Sequence, residues 1–306
     1  MLPEVGSLAE RGHTPRVTVV IPALNEERNL IEVLPRIPST VHEVILVDGE
    51  STDGTIEAAC AILPSIRIVR QIGRGKGGAL RAGFEAATGD IIVMLDADGS
   101  TDPGELPAFV GALLAGADFV KGSRFLQGGG TADMTWHRKA GNGFFVRLVR
   151  LLFGGRYSDL CYGYNAFWVD VLPSLALDGD GFEIETMMNV RALKVGLRIA
   201  EVPSYEYRRG HGVGHLRAFP DGLRVLRTIF AEFGRPMPLR VSQQERQGGA
   251  PWTSVAFTIG EGDDPTADGP LALIPIERET SAIPIEAAQL MSSQGAYPRS
   301  GDDLAD

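Results

Sequence analysis

Two carboxylates one residue apart, Asp96 and Asp98, close an apolar run, Ile91-Ile92-Val93-Met94-Leu95. A strand alternates faces with period two, so this spacing predicts both side chains aimed to one side. Oxygens converging from one side suit a hard divalent cation, Mg2+ or Mn2+. Taken alone, an Asp-x-Asp is more often a solvated acidic turn, so its neighbours decide. Three further polar loops carry matching chemistry. Pro22-Ala23-Leu24-Asn25-Glu26 follows one apolar run, Asp48 to Asp53 a second, and Gly73-Arg74-Gly75-Lys76-Gly77-Gly78 a third. Carboxylates at strand ends hold ribose hydroxyls and a base edge, while a glycine-rich loop with Lys76 allows close approach to phosphates. A nucleotide whose diphosphate carries a metal fits all four loops. The Gly-x-x-x-x-Gly-Lys-[Ser/Thr] phosphate loop is absent, and no dinucleotide fingerprint follows the first strand.

The elements that must position these loops are legible in the same stretch. Strands are predicted at 17–22, 44–48, 66–69 and 91–95, each leading into a helical pattern. Four strand–helix alternations predict an α/β fold, a mostly parallel sheet flanked by helices. Ligands bind such sheets outside the carboxyl ends of the strands, where all four loops fall. Further along, a helix is expected at 106–115, a strand at 118–120, a flexible loop at 128–130 and an apolar helix at 143–153. A helix at 182–193, a strand at 198–202, a basic loop at 207–215 and a helix at 222–230 complete the body.

Composition bounds the rest. The 306 residues read as a flexible leader (1–15), one catalytic domain (16–240) and an acidic, mostly disordered tail (241–306) rich in Gly, Pro and Ser. The net charge of −10 sits mainly in that tail, which holds eleven of the 39 acids and three of the 29 bases. The nearly neutral body shows no dominant basic face, which disfavours a nucleic-acid partner. Two cysteines, Cys60 and Cys161, make no disulfide framework, so a reducing, cytoplasmic setting is expected. No run approaches the ~18 apolar residues of a membrane span. Attachment to the inner face of the cell membrane stays open.

The segments Val19-Val20-Ile21-Pro22-Ala23-Leu24-Asn25-Glu26-Glu27, Val47-Asp48-Gly49-Glu50-Ser51-Thr52-Asp53-Gly54-Thr55 and Leu95-Asp96-Ala97-Asp98 resemble family 2 glycosyltransferases of the GT-A fold. Within it the chain is most similar to the polyprenyl-phosphate (dolichyl-phosphate) mannosyl- or glucosyltransferase branch, over about residues 17–235. The resemblance implies a nucleotide sugar of the GDP-mannose or UDP-glucose type as donor. It implies nucleotide contacts at Pro22, Ala23, Asn25, Glu26, Asp48, Asp53, Lys76 and Asp96, and metal contacts at Asp96, Asp98 and Ser100. Two departures stand out: Glu50 replaces the usual Gly, and Gly99-Ser100 replaces an apolar residue and Gln. The basic segment Arg208-Arg209-Gly210-His211-Gly212-Val213-Gly214-His215 resembles the family's loop over the donor phosphates, with Arg208 and Arg209 neutralising the leaving group and His211 or His215 near the metal.

On the acceptor side, Arg124, Arg138 and Asn142 are spaced like the branch's phosphate clamp, Arg138 and Asn142 one helical turn apart. Segment 143–153 is either a helix lying in the membrane surface, with Arg147 and Arg150 at headgroups, or a buried core helix. The resemblance implies metal-dependent, inverting transfer of a hexose to a polyprenyl-phosphate lipid. Two alternatives remain. One is transfer to a soluble hydroxyl acceptor, with Asp159, Glu183 or Glu185 as base; the other is a non-catalytic nucleotide-sugar-binding protein.

Overall fold

The four leading apolar runs form the parallel strands expected of them: β1 (Val17–Ala23), β2 (Glu43–Asp48), β3 (Arg67–Arg70) and β4 (Ile91–Met94). In the computed structural model, residues 14–212, 214 and 218–236 are described, together with strands at 254–257 and 273–275. They fall within one compact unit. Helices α1 (Glu27–Val33), α2 (Thr55–Ile62) and α3 (Gly75–Ala86) connect the first four strands. Then follow α4 (Leu106–Leu114), β5 (Phe119–Ser123), β6 (Gly130–Thr131), α5 (Trp136–Phe153), β7 (Asn165–Trp168) and α6 (Leu172–Leu175). The series ends with α7 (Glu183–Lys194), β8 (Ile199–Pro203), β9 (Tyr205–Glu206) and α8 (Ala218–Gly234).

The main sheet runs β8-β5-β7-β4-β1-β2-β3. Beyond β8 it is extended by β10 (Ser254–Phe257), parallel to β8, and β11 (Leu273–Pro275), antiparallel to β10. Apart from those two strands, the expected tail at 241–306 lies outside the described residues, as does most of the expected leader. The β-branched runs explain why the sheet is buried on both faces. Val19 and Ile21 of β1 pack with Leu30, Val33 and Phe109 on one side. Val20, one residue out of phase, packs with Leu80, Ile184 and Met188 on the other. Period two thus splits one strand between two cores.

Several boundaries differ from the sequence expectation, and each difference moves chemistry. β7 was not anticipated. It runs antiparallel between β4 and β5, pairing Met94 with Asn165 and Lys121 with Asn165, and so carries the Gly163-Tyr164-Asn165 segment to the functional edge. β5 extends through Ser123, which sets Arg124 at its carboxyl end. The loop expected at 128–130 contributes Gly130 to a short parallel pair with β9. α5 begins at Trp136, so Arg138 and Asn142 are helical, and only Asn142 and Val149 of its 18 residues are buried. One face of 143–153 packs on the core through Val149, with Phe145, Val146, Leu148, Leu152 and Phe153 against it, while Phe144 and Leu151 are exposed.

Candidate active site

β1, β2 and β4 end together, and their following loops enclose a cavity of about 450 Å3 lined by Pro22, Ala23, Glu26, Lys76, Asp96, Asp98 and Arg209. Seven residues expected at a nucleotide site therefore meet there. Strand geometry does not aim the two aspartates, because β4 stops at Met94 and both lie in the turn beyond it. They take separate partners: Asp96 meets Lys76 Nζ at 2.6 Å, and Asp98 meets Arg209 at 3.2 Å. Ser100, the expected third metal ligand, instead donates its hydroxyl to Asp98 Oδ1 (2.6 Å), and its amide N–H donates to the same oxygen. It braces the carboxylate rather than extending the ligand set.

The other donor-side residues lace the loops together. Asp48 is buried and accepts the N–H groups of Glu50 and Ser51. Glu50 stands at φ 69°, where a Cβ is strained, which gives the physical reason for Gly being usual there. Asn25, also left-handed, donates its amide to Ser51 Oγ and accepts the Thr52 N–H at 2.8 Å. Asp53 accepts from the Thr55 hydroxyl and from the Glu27 and Thr55 amides, and these hold its carboxyl below the usual range against the effect of burial. These three residues shape the cavity from behind its wall.

The glycine-rich segment needs correction. Gly75, Lys76, Gly77 and Gly78 are the first turn of α3, not a free loop. Two of their amides are already engaged: Gly77 N–H donates to Asp180 O at 2.8 Å, and Gly78 shares that acceptor. A Cβ at Gly75 would sit 2.5 Å from Asp180 O, and one at Gly78 would lie 2.7 Å from Ile72 O. These glycines admit the close approach of a neighbouring backbone. From this segment Gly75 and Lys76 line the cavity, and Lys76 is held between Asp96 and Glu185, each at 2.6 Å. Burial disfavours its ammonium, but the two carboxylates outweigh that and keep Lys76 charged.

The basic loop lies at this same cavity, which Arg209 and Gly214 help to line. Arg209 bridges Glu26 and Asp98, Gly210 N–H donates to Asp98 O (3.1 Å), and Tyr207 N–H donates to Ser100 O (2.8 Å). Arg208 turns the other way, onto the carbonyl of Ala132. His211 faces Glu32 at 3.3 Å, not the aspartate pair, and His215 lies outside the described residues. For a cation, the donor set fits. Asp96 and Asp98 are each about a quarter exposed at the cavity, and two carboxylates completed by phosphate oxygens suit Mg2+ or Mn2+. Arg209 would have to leave Asp98 Oδ2 for that oxygen to be offered to such an ion, since Oδ1 stays engaged by Ser100.

A second cavity, of about 540 Å3, is lined by Phe144, Phe145, Leu223 and Leu226 and by all three expected clamp residues. Their roles differ from the expectation. Arg124 is buried and fully engaged: Nε and Nη2 meet Asp159 at 2.6 and 2.9 Å, Nη1 meets Glu206 at 3.0 Å, and Nη2 also reaches Cys161 O. Asn142 uses its carbonyl to accept the Leu160 and Cys161 amides, so it orders the 158–161 loop. Arg138 is the accessible member, a quarter exposed and paired with Asp133 at 3.1 Å.

Glu201 supports that loop from below by accepting the Ser158 N–H at 2.9 Å. Burial pushes its carboxyl from 4.5 up to about 7, although the Ser158 and Asp159 amides favour ionisation. The folded chain thus holds this proton more tightly than the unfolded chain. Its contribution to stability is full below about pH 4.5 and lost as the pH rises through about 7. E201Q is expected to flatten that part of the stability profile in urea melts taken across the window. Superimposable wild-type and variant profiles would exclude this assignment.

The two cavities share Phe182 in their lining. Residues 18–173 match the family described as Glycosyl transferase family 2, and the chain belongs to that family. It is 35% identical over 202 residues to the undecaprenyl-phosphate mannosyltransferase of Micrococcus luteus, covering 61% of this chain and 82% of that one. It is 32% identical over 236 residues to the polyprenol monophosphomannose synthase of Mycolicibacterium smegmatis, covering 72% and 88%. Among solved structures, glucosyl-3-phosphoglycerate synthase from Mycobacterium tuberculosis, in complex with Mn2+, UDP and glucosyl-3-phosphoglycerate, superposes with a TM-score of 0.57. That match is 26% identical and covers 74% of this chain and 82% of the other. The fold is GT-A, as the sequence resemblance implies.

Proposed function

We propose that this enzyme transfers a hexose from a nucleotide sugar to a polyprenyl phosphate at a membrane surface. The observation that carries the reading is the apolar cavity of about 540 Å3 that shares Phe182 with the donor cavity. An isoprenoid chain fits its phenylalanine and leucine lining, and Arg138 at its wall receives the phosphate. The two helices that line this cavity, α5 and α8, also expose Trp136, Leu151, Phe219, Phe230 and Phe233, each more than half. Arg147, Arg150, Arg224 and Arg227 lie exposed on the same two helices. Aromatic side chains with interspersed arginines suit an anionic bilayer surface. No helix among the described residues is long and apolar enough to cross a membrane.

In this reading the nucleoside packs against the β1 and β2 loops, and Arg209 moves from Asp98 onto the diphosphate. A divalent cation held by Asp96 and Asp98 neutralises the leaving group when bound. Lys76 adds a fixed positive charge beside Asp96. An acceptor phosphate, with a second pKa of about 6, is mostly ionised at neutral pH and attacks without a strong base. Its attack on the anomeric carbon from the face opposite the diphosphate inverts the centre. A soluble hydroxyl acceptor needs a base, and the candidates are Asp159, paired with Arg124, Glu185, which gives one oxygen to Lys76, and Glu183, which accepts the Asp180 and Gly181 amides. The test is an acceptor series from inorganic phosphate and 3-phosphoglycerate to prenyl phosphates of rising length. With each buried CH2 contributing about 0.8 kcal/mol, kcat/KM is expected to climb steeply over the first isoprene units. A preference for 3-phosphoglycerate over every prenyl phosphate would transfer the reading to a soluble acceptor.

A further inference from the structure

The two cavities meet at a partition made of few groups. Phe182 lines both cavities; Lys76 lines the donor cavity and Glu185 the acceptor cavity. Their side chains join across the partition through the 2.6 Å Lys76–Glu185 pair. Gly163 lets them converge. A Cβ there would lie 2.7 Å from Asp96 Oδ2, 2.9 Å from Lys76 Nζ and 3.0 Å from Glu185 Oε1. The 179–181 backbone, which leads into Phe182, packs on the glycines of α3, and Lys76 Nζ lies 5.9 Å from the centre of the Phe182 ring.

In a displacement at the anomeric carbon, the leaving phosphate and the attacking group flank the sugar ring. With phosphates in one cavity and acceptor in the other, the ring must lie at the partition. Glu185 is more than nine-tenths buried, and Lys76 takes its Oε1. Its Oε2 has no hydrogen-bond partner among the described residues, nor is it among the buried atoms left unsatisfied, so it reaches open space. A buried carboxylate oxygen open on one side is a strong acceptor for hydroxyls. An aromatic face beside it suits the C–H face of a pyranose.

We infer that Glu185 and Phe182 form the hexose subsite, Glu185 accepting ring hydroxyls and Phe182 packing on the ring. The inference rests on the donor and acceptor assignments above and adds where donor specificity resides. Lys76 fixes the Glu185 carboxylate by taking one oxygen, which leaves the other with a defined direction toward the sugar.

Calorimetric titration without acceptor isolates this subsite. UDP-glucose is compared with UDP, and GDP-mannose with GDP, in Mn2+ buffer. In E185Q the nucleotide sugar that binds wild type best is expected to weaken about ten-fold, the scale of a lost hydrogen bond to a charged group. The matching nucleoside diphosphate should stay within about two-fold, since it does not reach the partition. F182L, which keeps all charges, is expected to weaken only the sugar nucleotide, by about three-fold. Equal weakening of both ligands would reduce Glu185 to a support for Lys76, and unchanged binding of both would remove it from the site. Either result overturns the inference. Because no acceptor is present, failure of lipid transfer leaves this readout unaffected.

Discussion

Asp98→Ala is expected to lower sugar transfer by about 10^3-fold, the scale of removing a principal electrostatic stabiliser from a developing charge. Asp98 is held from both sides, by Ser100 at one oxygen and Arg209 at the other, and it lines the cavity proposed for the nucleotide sugar. The substitution removes one of two carboxylates able to hold the cation. It leaves Arg209 paired with Glu26, so no buried charge is stranded. The fold should therefore persist, with a melting temperature close to wild type. Initial rates across a Mn2+ titration, taken beside a thermal melt, separate the two effects. Loss of activity at every Mn2+ concentration with an intact melt supports the assignment, and a loss smaller than about ten-fold would contradict it.

Arg124→Met should act on stability rather than on substrate. Its guanidinium carries two bonds to the fully buried Asp159 and one to Glu206. Breaking a buried pair by removing one partner costs about 3–5 kcal/mol, because the remaining charge is stranded without water. Denaturant titration should show that loss as a lowered midpoint. Arg138 makes the contrast, since it is partly exposed, paired with an exposed Asp133 at 3.1 Å and only at 3.7 Å with Glu206, which keeps its closer bond to Arg124. Arg138→Met should keep near-wild-type stability and raise the KM for the acceptor phosphate. A stable Arg124→Met protein with a raised acceptor KM would restore the two-arginine clamp read from spacing.

That contrast marks where sequence reading reached and where it stopped. β1, β2 and β4 were legible because each is a β-branched run buried on both faces, and burial is written directly into residue type. The loops after them were legible because Pro22, Glu26, Asp96 and Asp98 are chemically unlike their apolar flanks. β7 was not, because four residues of mixed type pair antiparallel with strands far away in the chain, and no local period announces that. The glycines of α3 misled for a specific reason. Gly permits close approach of any backbone, whether a phosphate lies there or another loop of the same chain, and here Asp180 fills the space. The Lys76–Glu185 pair joins residues 109 apart, so neither position signals the other. Arg124 and Arg138 look alike in sequence, and only their burial separates a structural arginine from an accessible one.

The most direct measurement is incubation of the protein with Mn2+, polyprenyl phosphate vesicles and each of several radiolabelled nucleotide hexoses, followed by organic extraction. The account predicts label in the organic phase for one donor, matched mole for mole by released nucleoside diphosphate and abolished by chelation. Nucleoside diphosphate released with all label left in the aqueous phase, for every donor, would contradict it.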